Sequence, residues 1–189
     1  MICLVLTGKT IQENLEQLAK NRPYIDLCEL RVDLLDSSEY SHLATFPQEA
    51  NLPVILTCRR KADGGEYQGS EKERVALLEE ALEGEFTYID LEIDLKRASL
   101  EQKAAAKGVR VIRSLHDFDS IPSDIFHRMA KIAAKGEIPK VAVMVNSVGD
   151  LITLFRAKEE LAEVEEKIVV GMGEFGLPSR ILYKRAGSL

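Results

Sequence analysis

Seven short runs rich in Val, Ile and Leu recur along the chain, and segments with helical spacing separate them. The starts of successive runs lie 22 to 34 residues apart, which is the length of one strand and one returning helix. Strand–helix alternation of this kind produces parallel strands joined by right-handed crossovers. The sequence therefore predicts an α/β fold that occupies 1–189 as a single domain. The runs are 2–7, 26–34, 53–59, 87–95, 109–116, 140–147 and 167–172.

Three capping-box patterns indicate where helices begin. In this pattern a Ser or Thr side chain and a Glu or Gln three residues later satisfy each other's backbone N–H groups. The second and third patterns precede the amphipathic segments 71–83 and 100–107. The patterns are Thr10-x-x-Glu13, Ser70-x-x-Glu73 and Ser99-x-x-Gln102.

Two of the runs alternate charged and apolar residues, which bears on whether the sheet is open or closed. Glu29 and Arg31 fall on one face of 26–34, and Asp90 and Glu92 fall on one face of 87–95. An open parallel sheet covered on both faces favours nearly continuous apolar runs, and a half-exposed edge strand explains only one alternating run. A closed barrel with a polar mouth explains both.

The number of runs is one short of a complete barrel. A (β/α)8 TIM barrel needs eight strands and ~200 residues or more, whereas seven runs are present in 189 residues. We therefore expect a TIM barrel whose eighth strand and C-terminal lid are missing from this chain. An open sheet is the alternative.

The composition excludes several classes of protein. No apolar run approaches the ~18 residues of a membrane helix, and the opening 1–6 is too short and lacks the basic flank of a signal peptide. The 25 Lys and Arg against 31 Asp and Glu give a net charge of −6, with no basic stripe for a polyanion. We expect a cytoplasmic protein with no membrane or nucleic-acid partner.

The three cysteines lie inside apolar runs. Cys3, Cys28 and Cys58 have spacings that fit neither a disulfide framework nor a zinc site. We expect all three to be buried thiols in a reducing compartment.

Lys140 and His116 are the best candidates for covalent chemistry. Lys140 opens its run directly after Pro139 and alternates onto the same face as Ala142 and Met144. An inward lysine loses solvent, which lowers a lysine pKa and makes the amine a nucleophile toward carbonyls. His116 ends the preceding run, where α/β enzymes place their sites, and an imidazole there transfers protons near neutral pH. A surface lysine and a structural histidine remain open alternatives.

Four further residues offer polar groups to a ligand. Glu29 and Arg31 share the charged face of the second run, Arg59 ends the third run, and Arg180 follows the seventh. Carboxylate acceptors and bidentate guanidinium donors suit a polar ligand that carries a carboxylate. The alternative for Glu29 and Arg31 is an internal ion pair that only neutralises the barrel mouth.

A glycine pattern after the seventh run matches the dinucleotide-binding motif G-x-G-x-x-G at Gly171, Gly173 and Gly176. That motif opens a βαβ unit and precedes an acidic residue ~20 positions later. Only 13 residues follow Gly176, and glycines are common in tight βα loops. We therefore expect no nicotinamide cofactor here.

Six motifs, in order along the whole chain, resemble those of the type I 3-dehydroquinate dehydratases. None is specific alone, but six at the family's spacing are. The motifs are Glu29-Leu-Arg31-Val-Asp33, Thr57-Cys-Arg59 with Gly64-Gly65-Glu66, Asp90-Leu-Glu92, Ser114-Leu-His116-Asp117-Phe118, Pro139-Lys140-Val-Ala, and Gly171-Met-Gly173 with Ser179-Arg180.

The resemblance implies a lyase of the shikimate pathway, which serves aromatic amino acid biosynthesis. The enzyme would dehydrate 3-dehydroquinate to 3-dehydroshikimate through a Schiff base, without metal or cofactor. Lys140 would form the imine and His116 would move the protons. Asp63 occupies the position where the family carries a Glu that orients the histidine. Arg180 would hold the substrate carboxylate, and Glu29, Arg31 and Arg59 would position the ring hydroxyls.

The resemblance also implies partners. Besides the small-molecule substrate 3-dehydroquinate, these are a second copy in a homodimer and, in a longer chain, a fused shikimate dehydrogenase domain. The family's lid, with a Ser and a Gln that touch the substrate, has no counterpart in this sequence. The alternatives are a non-catalytic barrel remnant that binds a ligand or partner, and another imine-forming barrel such as a class I aldolase.

Overall fold

The computed structural model describes all 189 residues, in which seven strands alternate with helices. The alternation confirms the predicted α/β class. The strands are β1 (Cys3–Leu6), β2 (Leu27–Arg31), β3 (Val54–Thr57), β4 (Tyr88–Glu92), β5 (Arg110–Asp117), β6 (Ile138–Met144) and β7 (Ile168–Met172). The α-helices are α1 (Ile11–Asn21), α2 (Phe46–Ala50), α3 (Glu71–Ala81), α4 (Ala98–Ala106), α5 (Ile125–Ala133), α6 (Val148–Phe155), α7 (Ala157–Glu160) and α8 (Leu177–Ile181).

The chain divides into two compact units, Met1–Val111 and Ile112–Leu189. The sequence predicted one domain over 1–189, and that assignment stays a prediction.

In the first unit, β1 to β4 are parallel neighbours in sequence order. One face of this sheet builds the core, because Leu6, Leu30, Leu56 and Ile89 are partners across the four strands and each is 0% exposed. The opposite face carries the charged residues of the alternating runs. Since β2 lies between β1 and β3, its alternation is not that of an edge strand.

In the second unit, β5, β6 and β7 are parallel neighbours. Leu115, Val141 and Val169 form a buried row across the three strands. The opposite face of the same strands carries His116 and Lys140. The described residues contain no eighth strand, as the sequence predicted.

The helix starts follow two of the three capping patterns. The Thr10 side chain accepts the N–H of Glu13, and Ser70 and Glu73 form the complete reciprocal box. The capping box predicted at Ser99 is wrong. Helix α4 begins at Ala98 without a side-chain cap, and the Ser99 hydroxyl donates to Glu79 instead. A partner from another helix takes the hydroxyl that the sequence assigned to the cap.

Some strand ends also differ from the predicted runs. β2 ends at Arg31, and Val32–Leu34 forms a 3-10 turn. β6 begins at Ile138, so Lys140 is its third residue rather than its first. Lys140 and Ala142 still lie two residues apart in one strand, so they share a face as predicted.

Two of the three cysteines are buried as predicted, and burial raises the pKa of the Cys28 thiol to about 12. Cys3 is exposed, contrary to the sequence expectation. It lies in β1, which pairs with β2 and forms an end of the strand order. No helix of the structure has both the length and the apolar character of a membrane span.

Candidate active site

Charged side chains gather where β2, β3 and β4 end in the first unit. Glu29, Arg59, Asp90 and Glu92 are at most 7% exposed. Nη2 of Arg59 lies 2.9 Å from Oδ2 of Asp90 and 4.0 Å from Oε1 of Glu29. Its Nη1 lies 3.8 Å from Oε1 of Glu92. One guanidinium thus stands among three carboxylates.

The three carboxylates around Arg59 stabilise its positive charge. Burial by itself disfavours the guanidinium cation, but Asp90, Glu29 and Glu92 outweigh that cost and raise the pKa of Arg59. Thr57 adds a hydroxyl that donates to Oε1 of Glu29 at 2.8 Å. The cluster is a fixed set of hydrogen-bonding groups rather than a solvated surface.

Asp33 organises the backbone beside this cluster. It accepts two hydrogen bonds from Arg31, at 2.8 and 2.6 Å, and its carboxylate also accepts the N–H groups of Arg59 and Glu66, each at 3.0 Å. Burial alone would raise the pKa of Asp33, but these bonds hold it below the usual value. Arg31, predicted as a substrate-binding residue, is therefore paired with Asp33 in this structure.

Asp63, predicted to orient the histidine, lies in the short 3-10 turn Lys61–Asp63. Its carboxylate is paired with Arg60, and Arg60 also binds Asp94 after β4. Burial disfavours the charged guanidinium of Arg60, but these two carboxylates outweigh that effect and raise the pKa of Arg60. The loop that carries Asp63 is thus anchored to the end of β4.

His116 and Lys140 lie on one face of the second unit. The register pairs Ser114 with Lys140 and His116 with Ala142, and partnered residues of parallel strands point the same way. Lys140 and His116 are therefore offset by two residues on adjacent strands, which places their Cα atoms roughly 8 Å apart along the diagonal. Long side chains on one face span such an offset.

Both side chains are half-buried rather than fully solvated. Lys140 lies between Ser114, which is 0% exposed, and Ile168 in the strand register. The His116 ring stacks on Phe118 with centroids 6.4 Å apart and an interplanar angle of 18°.

Arg180, predicted to hold the carboxylate, is exposed on α8. The glycine pattern before it packs on itself. A Cβ at Gly171 would lie 2.9 Å from Cα of Gly176, and the Ser179 hydroxyl accepts the Gly171 N–H and donates to the Gly176 carbonyl. Close backbone packing therefore explains these glycines without a dinucleotide.

Sequence reasoning did not single out every residue of the cluster. Thr57, Asp90 and Glu92 lay in the quoted motifs but were given no role. Arg74 of α3, whose Nη2 lies 2.9 Å from Oε2 of Glu92, was missed. Arg74 shares a helix face with buried Leu78, which is the pattern that could have indicated an inward side chain.

Comparison with known proteins gives matches that span nearly the whole chain. The family model described as type I 3-dehydroquinase matches residues 2–189. The 3-dehydroquinate dehydratase of Methanocaldococcus jannaschii is 30% identical over 195 residues, covering 100% of this chain and 86% of the relative. The solved type I 3-dehydroquinate dehydratase of Clostridium difficile has a TM-score of 0.89 at 25% identity, covering 99% of this chain and 81% of that chain.

A third likeness concerns the fold alone. A solved S. pombe protein that contains dehydroquinate dehydratase and shikimate dehydrogenase has a TM-score of 0.80 at 22% identity. The match covers 100% of this chain and 39% of that chain. These likenesses confirm the fold class that the sequence predicted.

Proposed function

Because the chain belongs to the type I 3-dehydroquinase family, we propose that it dehydrates 3-dehydroquinate to 3-dehydroshikimate through an imine on Lys140. The observation that carries the covalent route is the placement of Lys140 and His116 on one face of adjacent strands. An amine beside an imidazole is the arrangement that imine-based proton abstraction requires.

The reaction begins when Nζ of Lys140 attacks the C3 carbonyl of the substrate and a water molecule leaves as the imine forms. The protonated imine is an electron sink that makes the adjacent C2 hydrogen more acidic. His116 takes the C2 proton, and the C–H electron pair forms the C2=C3 bond of an enamine while the imine π electrons move onto nitrogen. His116 then donates a proton to the C1 hydroxyl, and as the C1–O bond breaks and water leaves, the enamine electrons form the C1=C2 bond and restore the imine. Hydrolysis of the imine releases the product and the lysine.

The remaining predicted residues bind and orient in this scheme. Arg180 pairs with the substrate carboxylate, and Glu29, Arg31 and Arg59 hydrogen-bond to the ring oxygens. Asp63 orients His116 from the loop that Arg60 anchors. The charged, hydrogen-bonded cluster around Arg59 supports this assignment, because it offers fixed donors and acceptors to a polyhydroxylated ring.

Borohydride trapping tests the proposal. Reduction of the protein in the presence of 3-dehydroquinate should give a stable mass increase on Lys140, and the conjugated enone of the product should absorb on mixing. Lys140→Ala should lose the adduct and lower kcat by roughly three orders of magnitude or more, while ligand binding remains measurable.

His116→Ala is the matched control for that experiment. It should still be trapped on Lys140 but turn over slowly, because only the proton transfers are lost. A wild-type protein that gives no adduct under saturating substrate would favour the non-catalytic remnant. An adduct without enone absorbance would favour an aldolase-type enzyme.

We also propose a homodimer, supported by an apolar face on the second unit. This apolar face consists of Val148 and Ile152 on α6 and Leu177 and Ile181 on α8, each at least 56% exposed. The two helices contact each other, and each carries its pair at i and i+4. Exposed apolar stripes on adjoining helices are typical of an interface.

A cytoplasmic location and a fused shikimate dehydrogenase are the remaining proposals on partners and place. Buried Cys28 and Cys58 thiols suit a reducing compartment. The S. pombe protein supports the fusion, since its chain holds both domains. Cell fractionation and the intact mass of the natural protein test these two proposals.

A further inference from the structure

Arg74 of α3 is the largest fully buried side chain of the chain, at 0% exposure. Arginine is almost never fully buried unless it is paired, because removing its charge from water is costly. The proposed reaction assigns no role to Arg74, although its charge is buried at this cost.

The guanidinium of Arg74 binds two carboxylates and one carbonyl at the edge of the charged cluster. Nη2 lies 2.9 Å from Oε2 of Glu92, and Nη1 lies 3.2 Å from Oε1 of the same residue. Nη1 also donates to the carbonyl of Cys58, and Glu71 accepts from Nε and Nη2 at 3.0 and 2.8 Å. Burial opposes the charge of Arg74, but Glu71 and Glu92 outweigh it and raise its pKa.

Two of the three groups that Arg74 binds, the Cys58 carbonyl and Glu92, adjoin Arg59. Cys58 is the preceding residue, so its carbonyl fixes the backbone from which the Arg59 side chain starts. Oε1 of Glu92 lies 3.8 Å from Nη1 of Arg59, while the stronger pair of Arg59 is with Asp90 at 2.9 Å. Glu92 thus stands between two guanidinium groups.

We propose that Arg74 is a positioning residue for Arg59 that acts through Glu92 and the Cys58 carbonyl. While Arg74 holds Glu92 by two bonds, the attraction of Glu92 for Arg59 is offset and Arg59 stays on Asp90. Without Arg74, Glu92 attracts Arg59 more strongly, and the guanidinium moves away from Asp90. The inference rests on the substrate-binding role of Arg59 in the proposed function.

Steady-state kinetics with 3-dehydroquinate test the inference. Arg74→Met keeps the length of the side chain but removes its charge, so KM should rise about tenfold while kcat changes little, since a displaced binding group weakens ground and transition states alike. Arg74→Lys should give an intermediate KM, because one ammonium keeps the charge but loses the bidentate geometry.

Two double variants separate positioning from loss of stability. With Arg59→Lys present, adding Arg74→Met should raise KM by less than about twofold, because the group being positioned is already lost. Arg74→Met with Glu92→Gln removes both partners of the pair, so Glu92 is not left as a buried charge without Arg74, and this variant should fold even where Arg74→Met alone fails. Relative to Glu92→Gln its KM should rise by less than the tenfold rise of Arg74→Met over wild type, because only the contact with the Cys58 carbonyl remains to be lost.

Arg113→Met is the matched control in the second unit. Arg113 is 5% exposed and paired with Glu137, so its loss should lower the melting temperature while KM stays unchanged. If the KM increases of Arg59→Lys and Arg74→Met multiply in the double variant, the two residues act independently and the inference is overturned. An Arg74→Met enzyme with wild-type KM would overturn it as well. Wild-type trapping on Lys140 is measured alongside, because its absence, or an unchanged KM in Arg59→Lys, contradicts the proposed function itself.

Discussion

At the scale of single residues, Asp33 connects three parts of the candidate site. Its two oxygens accept from the Arg31 side chain and from the backbone of Arg59 and Glu66. One carboxylate therefore fixes a charged side chain, the second residue after β3 and the glycine loop. Its side chain is 0% exposed, so water screens these bonds little.

Replacing Asp33 with Asn should lower the free energy of unfolding by about 2 to 4 kcal/mol near neutral pH. The folded-state pKa of Asp33 is lowered, so its contribution is complete above the unfolded pKa of ~3.9 and disappears as the pH falls through the folded value. Thermal unfolding of both proteins from pH 7 downward should show their difference shrinking below about pH 4.

Asp119→Asn is the control for this series, because Asp119 is exposed. It should change stability little at any pH. A stability gap between wild type and Asp33→Asn that stayed constant down to strong acid would contradict the assigned pKa direction.

At the scale of elements, the glycine-rich loops that follow β3 and β7 pack closely against nearby backbone. Gly64 has φ of +77°, in the left-handed region where glycine is favoured. A Cβ at Gly65 would lie 2.1 Å from the carbonyl oxygen of Arg59. The loop after β3 therefore packs on the residue that it follows, and this packing requires a hydrogen in place of a side chain.

Gly65→Ala should lower kcat/KM by roughly tenfold or more, because the added methyl displaces the Arg59 backbone. Gly149→Ala is the matched control in α6, where the nearest atom to a new Cβ is 3.5 Å away. That change should leave activity unaltered and keep or slightly raise the melting temperature. A Gly65→Ala enzyme with wild-type kinetics would show that the loop does not position Arg59.

At the scale of the whole molecule, the exposed apolar face bears on assembly. Ile152→Glu combined with Ile181→Glu should shift the protein from dimer to monomer in light scattering, because a charge at the centre of an interface is costly to bury. Tyr24→Ser changes another exposed large side chain, 73% exposed in the first unit, and should leave the mass unchanged. A wild-type monomer, or a dimer that survives the double change, would contradict the proposed interface.

Much of the site was predictable because short motifs carried it. Glu29 and Arg59 lie in the charged cluster, and the alternation of its strand correctly placed Lys140 on the face of Ala142. That His116 shares this face follows from the strand register, which the sequence did not give. Their catalytic and binding roles stay predictions. Arg74 was missed because an arginine in a helical segment is usually solvated, and its burial depends on carboxylates distant in sequence.

The sequence alone determined the order of strands and helices, the core faces of the two alternating strands and the family, because these depend on local periodicity and on motifs of a few residues. Tertiary structure decided which charges pair, which hydroxyl caps a helix and which thiol is exposed. Arg31 meets Asp33 nearby, but Arg74 meets Glu92 across 18 positions, and Ser99 leaves its cap for Glu79 of another helix. Long-range pairing is set by what the folded backbone brings within hydrogen-bond distance, which periodicity does not encode.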